Sequence, residues 1–290
     1  IDSNAKFYNV TATVNDEKMG TVSGTGSYVE NNEVSLKAIA NPGYEFVKWS
    51  NDSTTNPLKF KATADAELTA IFQEQEPITC AEVADLAVGD AFVLNEFTVT
   101  YVNGSYTYIK DETGYSLIYQ SNFGLKAGDF VTGFAGVRAD YNGLVQITPS
   151  VTKADLEIIE LEAPQPEVMT ENPTLEDMNK YVVFPKVTMT AGSINGSDAR
   201  SITGTLEEQD EEISFYNQWK YEVTFEEDKL YTIVGAVSTY KGNVQVNFIS
   251  AVDYQQTITT TDATWAGSAR EGYYITAVDD QLGDVAIVLM

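Results

Sequence analysis

The chain has 290 residues, with 17 Lys and Arg against 43 Asp and Glu, no histidine and a single cysteine. A net charge of −26 repels polyanions, whose binding draws on basic side chains and counterion release, so no nucleic acid is expected as a partner. The lack of histidine removes Ser-His-Asp and Cys-His hydrolases, His-ligated zinc and the usual general base near neutral pH.

In chain order, the polar opening IDSNAK reads as a mature or trimmed start, with no signal peptide. Residues 7–72 follow, alternating apolar and polar side chains in YNVTATV, SYVENNEVSLKAIA, GYEFVKW and AELTAIF. Successive strand residues face opposite sides, so this period of two predicts half-buried strands joined by Gly, Asn and Pro turns. Tyr44, Phe46 and Trp49 are expected to fill one small core, facing Leu68, Ala70 and Phe72. Five pieces of this stretch form a pattern: Gly20-x-Val22, Gly26-x-Tyr28, Val34-x-Leu36-x-Ala38, Pro42-Gly43-Tyr44-x-Phe46-x-x-Trp49 and Ala70-x-Phe72. Together they resemble the divergent internalin B-repeat of bacterial surface proteins. The resemblance implies a small β-grasp-like unit, secretion, and a stalk or adhesive role without catalysis.

The segment QEQEP at 73–77 ends this unit. Thr79 with Glu82 then predicts a capping box at the start of a short helix. The lone Cys80 permits neither a disulfide framework nor a cysteine-rich metal site, and reads as an inert, packed thiol. Strand-like runs AFVLNEFTVTYV, SYTYIKD, YSLIYQS, DFVTGFAGVRADY and LVQITPS follow, separated by turns NG, DETG and YNG that fit tight hairpins.

LEAPQPEVMTENP at 161–173, with three prolines, reads as a semi-rigid linker. After it the scheme restarts: Thr174 with Asp177 opens a short helix, and five strand-like runs end in YTIVGAVSTY and NVQVNFIS. Tyr-x-Gly-x-Val-Gln occurs at Tyr141 and again at Tyr240, and 240 − 141 = 99, the length of a small domain. Five strands per copy match a five-stranded Greek-key barrel better than an immunoglobulin sandwich. The repeated motif then marks the last hairpin of each barrel and is expected to be scaffold.

NGSYTYIKDETGYSLIY followed by LKAGDFVTGFAGV resembles strands two to four of an OB-fold domain. The second copy has TGTLEEQDEEIS instead of the YIKDETG stretch, so the first copy's surface chemistry need not recur there. The tail offers two or three strands, expected to pack on the second barrel or to belong to a truncated module. The fold class is therefore all-β, a β-grasp-like repeat domain plus two OB-like barrels in tandem. The domain bounds are 1–75, 76–163, 164–253 and a C-terminal segment 254–290.

OB barrels bind oligonucleotides and oligosaccharides on strands two and three. Alternation in SYTYIKD puts Thr107 and Ile109 inside and Tyr106, Tyr108 and Lys110 outside, with Tyr115, Leu117 and Tyr119 outside on strand three. The resemblance places Tyr106 and Tyr119 where anticodon-binding OB domains stack bases. In a chain this acidic the platform suits sugars or a neutral polymer better. The other reading of these tyrosines is packing against a neighbouring domain or loop.

Acidic clusters at 207–212, 225–229 and 278–284 lack the Asp-x-Asp-x-Asp-Gly order of a calcium loop and read as solvated turns. No metal site and no cofactor are expected. No apolar run approaches the roughly 18–20 residues of a membrane helix. The expected function is a non-catalytic secreted or surface-displayed bacterial binding and adhesion protein contacting an extracellular glycan or protein, with a lipid anchor ahead of Ile1 as one means of attachment. The alternative is an accessory polymer-binding region of a larger extracellular enzyme. A carboxylate hydrolase in its own right is the weakest reading.

Overall fold

The computed structural model describes residues 5–196, 200–254, 264–268, 272–279 and 283–288. Two compact units divide the chain, Ile1–Ala251 and Val252–Met290. Regular structure in the described residues is strand, apart from three 3-10 turns.

The N-terminal module comprises β1 (Phe7–Val14), β2 (Gly20–Ser23), β3 (Gly26–Val29), β4 (Glu33–Ala40), β5 (Tyr44–Trp49), β6 (Leu58–Lys61) and β7 (Ala66–Glu74). One sheet runs β3-β1-β7-β5, with β1 parallel to β7 at its centre, and the other runs β2-β4-β6. Between them lie Val10, Val34, Leu36, Ala38, Trp49, Ala62, Ala70 and Phe72. Trp49 is wholly buried, and its indole donates to the Thr55 carbonyl at 3.0 Å. Phe46 packs on this core from its rim, tilted on Trp49 and edge-on to Phe72. Tyr44 is only half-buried and lies outside the core cluster. A register shift between Phe46 and Lys48 explains how Phe46 and Trp49 reach one core despite their odd spacing, because a bulge resets the alternation.

The first barrel holds β8 (Ala91–Val93), β9 (Phe97–Asn103), β10 (Tyr106–Lys110), β11 (Tyr115–Tyr119), β12 (Asp129–Thr132), β13 (Ala135–Tyr141), β14 (Leu144–Pro149) and β15 (Glu157–Glu160). The second holds β16 (Glu167–Val168), β17 (Tyr181–Met189), β18 (Gly192–Asn195), β19 (Ser201–Leu206), β20 (Glu212–Tyr216), β21 (Glu222–Phe225), β22 (Leu230–Tyr240) and β23 (Asn243–Asp253). In the second, the sheet β17-β19-β20-β23-β22 closes through an additional β17–β22 pairing. In order of sequence this is 1-2-3-5-4-1, a closed five-stranded barrel. The first barrel follows the same scheme with its first strand broken into β8 and β9 and its fourth into β12 and β13, which pair as β8–β13 and β9–β12. In the second barrel the corresponding irregularity is a register shift between Phe184 and Val187, where Pro185 supplies no backbone donor. The ribbon β18–β21 is an addition to the five predicted strands, and its Ile194 and Phe225 fill the barrel core.

Equivalent residues now follow from register. Gly136 opposes Phe92 and Gly235 opposes Val182, again 99 apart (235 − 136). A Cβ on Gly136 would lie 2.6 Å from the Ile147 side chain, and one on Gly235 2.3 Å from that of Val246. Only glycine permits that approach. The same requirement at the same place identifies the two barrels as copies of one design.

Each repeated hairpin turns through two residues of positive φ, Asn142 (53°) and Gly143 (94°) in one, Lys241 (53°) and Gly242 (81°) in the other. This is the geometry of a type I′ turn, matched to strand twist. The predicted short helices are single 3-10 turns, Glu82–Asp85 and Leu175–Asp177. Thr174 and Asp177 form the full capping box. At Thr79 only half of it forms: Glu82 accepts from the Thr79 amide and hydroxyl, while the turn itself starts after Ala81.

In the second unit, β24 (Thr264–Ser268), β25 (Gly272–Asp279) and β26 (Gly283–Val288) form an antiparallel sheet in that order. Residues 280–282 of the acidic cluster at 278–284 lie outside the described residues.

Candidate functional site

Strands β10 and β11 pair with Tyr106 opposite Tyr119, Tyr108 opposite Leu117 and Lys110 opposite Tyr115. Ile109 and Ile118 point into the first barrel's core, so the predicted alternation holds and the tyrosine face is the outer one. That face, however, is largely covered. Tyr108 is 1% exposed and forms a separate buried cluster with Leu117, Leu144 and Ala236 of the second barrel. Its hydroxyl accepts from the Asn247 amide at 3.3 Å. Nearby, Tyr101 stacks on Tyr181 at 5.1 Å, and Asn103 donates to the Tyr221 hydroxyl at 2.8 Å. Outward from one barrel proves to be inward to the pair.

Lys110 and Tyr115 are also engaged. Both bond the Glu167 carboxylate of β16, Lys110 at 3.0 Å and Tyr115 by a short hydroxyl contact. Lys180 lies over the Tyr115 ring and pairs with Asp177 at 2.8 Å. Partial burial opposes ionisation of Glu167, but bonds from Tyr115 and Lys110 outweigh it and hold the carboxyl below its ordinary value. Asp177 is held low in the same way against its own burial, by Lys180 and the Thr174 cap. Burial first, and then Glu167, push the Tyr115 phenol up, so it stays a proton donor.

A carboxyl depressed in the folded state stabilises fully above its unfolded pKa, and that stability is lost as pH falls through the folded value. This clasp between the barrels should therefore weaken as pH drops below about 4.5, the ordinary Glu value. Thermal melts at pH 7 and pH 3.5 should show Glu167→Gln removing part of the native protein's acid sensitivity. An identical pH dependence in the variant would rule the clasp out as a contributor.

Tyr106 and Tyr119 remain at the surface, edge to face at 5.1 Å. They open on a cleft of about 670 Å³ between the barrels. Register shows what faces them. Ile118 opposes Ile147 in the first copy and Phe215 opposes Val246 in the second, so Tyr119 is equivalent to Tyr216, and Tyr106 to Ser201. All four line the cleft. So do the repeated motif's own pairs, Tyr141 with Tyr240 and Gln146 with Gln245. The two hairpins abut, the Lys241 amide donating to the Asn142 carbonyl at 2.7 Å.

The cleft's chemistry is uniform. Burial, helped by Tyr119, Tyr141 and Tyr216, pushes the Tyr106 phenol up to about 12, so its hydroxyl remains neutral. Arg200 supplies the one charge among the described lining residues and donates to the Tyr216 hydroxyl at 3.3 Å. Among the described residues no carboxylate lines the cleft, although the chain carries 43. Asn247 is 2% exposed, and its side-chain carbonyl has no hydrogen-bond partner.

Other candidates are already spent. Beside Lys110 a second cavity, about 610 Å³, is bordered by Asp111 and Glu112. Asp111 accepts from the amides of Cys80, Thr113 and Gly114 and from the Thr113 hydroxyl. Burial opposes its ionisation, but these bonds hold it ionised at lower pH than usual. Cys80 is 1% exposed, and burial together with Asp111 drives its thiol up, away from the reactive thiolate. In the acidic clusters Glu207 pairs with Lys186 and Glu226 with Lys229. No group of three potential ligands able to hold a metal ion occurs among the described residues.

The two sheets of the N-terminal module, its parallel centre and its Trp49 core can now be set beside known families. Residues 10–76 match the family model of the divergent InlB B-repeat domain. This is the repeat that the Gly43-Tyr44-x-Phe46-x-x-Trp49 stretch pointed to, and it ties this part of the chain to a repeat of bacterial surface proteins. No curated protein and no solved structure matches the chain. Among the described residues no helix is long and apolar enough to cross a membrane. The B-repeat meets the first barrel through Gln75, which donates to the Ala91 carbonyl at 3.1 Å.

Sequence reasoning missed Tyr141, Tyr216, Tyr240, Gln146 and Gln245 as cleft residues. A signal was present for four of them, the Tyr-x-Gly-x-Val-Gln repeat itself. Its Gly sets the turn, but its Tyr residues are 58% and 44% exposed, more than scaffold requires.

Proposed function

We propose that this is a non-catalytic binding protein of the bacterial exterior, secreted or held at the cell surface, that takes a neutral glycan into the cleft between its barrels. The observation that carries this reading is the cleft lining itself. Tyrosine rings, neutral amides and hydroxyls and the one cation of Arg200 line it, and among the described residues no carboxylate does. Rings offer apolar faces to sugar C–H groups, while amides and hydroxyls satisfy sugar hydroxyls. Hydrolysis of a glycosidic bond ordinarily needs two carboxyl groups flanking it, which the described residues of this lining do not offer. The B-repeat supports the exterior setting, and the charge of −26 argues against polyanionic ligands.

The test is a glycan array probed with the native protein and a Tyr106→Ala/Tyr119→Ala/Tyr216→Ala variant. Central aromatic anchors typically cost about 2 kcal/mol or more each when truncated, so the variant should lose the hits. Retention of every hit by the variant would remove the cleft from consideration.

A further inference from the structure

Resting on the glycan reading, we infer that the cleft is a two-unit site: it takes two adjacent, like sugars of a neutral repeating glycan, one on each copy's wall. The duplication supplies the argument. Strand three contributes a ring to each wall, Tyr119 and Tyr216, and the closing hairpin contributes another, Tyr141 and Tyr240. Each wall also carries the motif's glutamine, Gln146 or Gln245. A ring and an amide are what one sugar needs, an apolar face to cover and neighbouring hydroxyls to pair. Each wall therefore holds a full set. A site for a single sugar would need only one.

Cavity size agrees. About 670 Å³ lies well within the 300–1,000 Å³ span of sites for ligands of drug-like size, larger than a lone sugar ring demands. The walls also differ in an informative way. Where the first copy has Tyr106, the second has Ser201, beside Arg200. The first wall thus presents three rings and the second two with a guanidinium, so the first should hold its sugar more tightly. The Asn247 carbonyl, buried and unpartnered, adds an acceptor for a sugar hydroxyl.

Calorimetric titration tests this with glucose, mannose, galactose and N-acetylglucosamine against their β-1,4-linked dimers. For the sugar that binds, the dimer should bind at least about tenfold tighter than the monosaccharide, as expected for two linked contacts. Two variants separate the walls, Tyr119→Ala/Tyr141→Ala and Tyr216→Ala/Tyr240→Ala. All four are cleft-facing side chains outside the buried core. Each variant should reduce the dimer's affinity to near that of the monosaccharide, the first more severely. Equal affinity for dimer and monosaccharide, or one wall variant that binds the dimer like the native protein, would overturn the two-unit site while leaving the glycan reading standing. Should the native protein bind none of these sugars and give no hits on the array, both fall. The comparison of dimer with monosaccharide on native protein needs no variant to fold.

Discussion

Tyr108→Ala is expected to cost about 3–5 kcal/mol, the range for emptying the site of a buried aromatic ring, and to split the melting of the two barrels into separate transitions. The ring is 1% exposed and belongs to the cluster that joins the barrels, with Leu117 and Leu144 on one side and Ala236 on the other. Tyr101 and Tyr106 lie against it at 6.2 and 6.3 Å. Alanine would leave a cavity there and strand the Asn247 amide, which now donates to the Tyr108 hydroxyl. Tyr108→Phe keeps the ring and loses only that bond, at a cost of about 1 kcal/mol. Scanning calorimetry should therefore show one cooperative barrel transition in the native protein and in Tyr108→Phe, and two in Tyr108→Ala. An alanine variant that melts like the native protein would show that the barrels are held together without this ring.

Tyr108 also marks the boundary of what the sequence disclosed. Alternation along β10 correctly put Ile109 in and Tyr108 out, because the two faces of a strand follow from a period of two. The period says nothing about what covers the outer face. That depends on Ala236, Asn247 and Trp219, more than a hundred residues away, whose approach no local pattern encodes. Lys110 and Tyr115 went the same way, captured by Glu167 from a segment that reads as a bare Pro-rich linker. Capping was legible at Thr174 and Asp177, since both partners lie within one turn, and so was the Gly-turn chemistry of the two hairpins. The equivalence of Tyr119 with Tyr216 was not legible. It requires the offset between copies in strand three, 216 − 119 = 97, to differ from the 99 of the hairpins, and only the Ile118–Ile147 and Phe215–Val246 pairings fix it. The repeated tyrosines were visible from the start, but a turn motif explains its glycine so completely that its neighbours pass as scaffold.

Trp49→Ala should be the most damaging single change in the B-repeat. Truncating a fully buried tryptophan costs about 3–5 kcal/mol, and a single core in a module below roughly 70–80 residues rarely supplies more than that. Trp49 is the largest of the wholly buried side chains there. Its loss would remove the contact with Phe46 at 5.5 Å and the bond from its indole to Thr55 that ties down the 50–56 turn. Gly20 makes relaxation around the hole difficult. A Cβ at Gly20 would meet the Phe72 ring at 2.7 Å, so the sheets are already in contact at that point and cannot close further. The B-repeat should then unfold while the barrels persist, because its links to them are few and their cores share no residue with it. Hydrogen exchange by mass spectrometry would show this as lost protection over residues 7–74 with protection retained over 91–253. If residues 7–74 stay protected in Trp49→Ala, the small core is not what holds this repeat together. If protection falls throughout, the B-repeat is a structural part of the barrel assembly instead of a module joined to it.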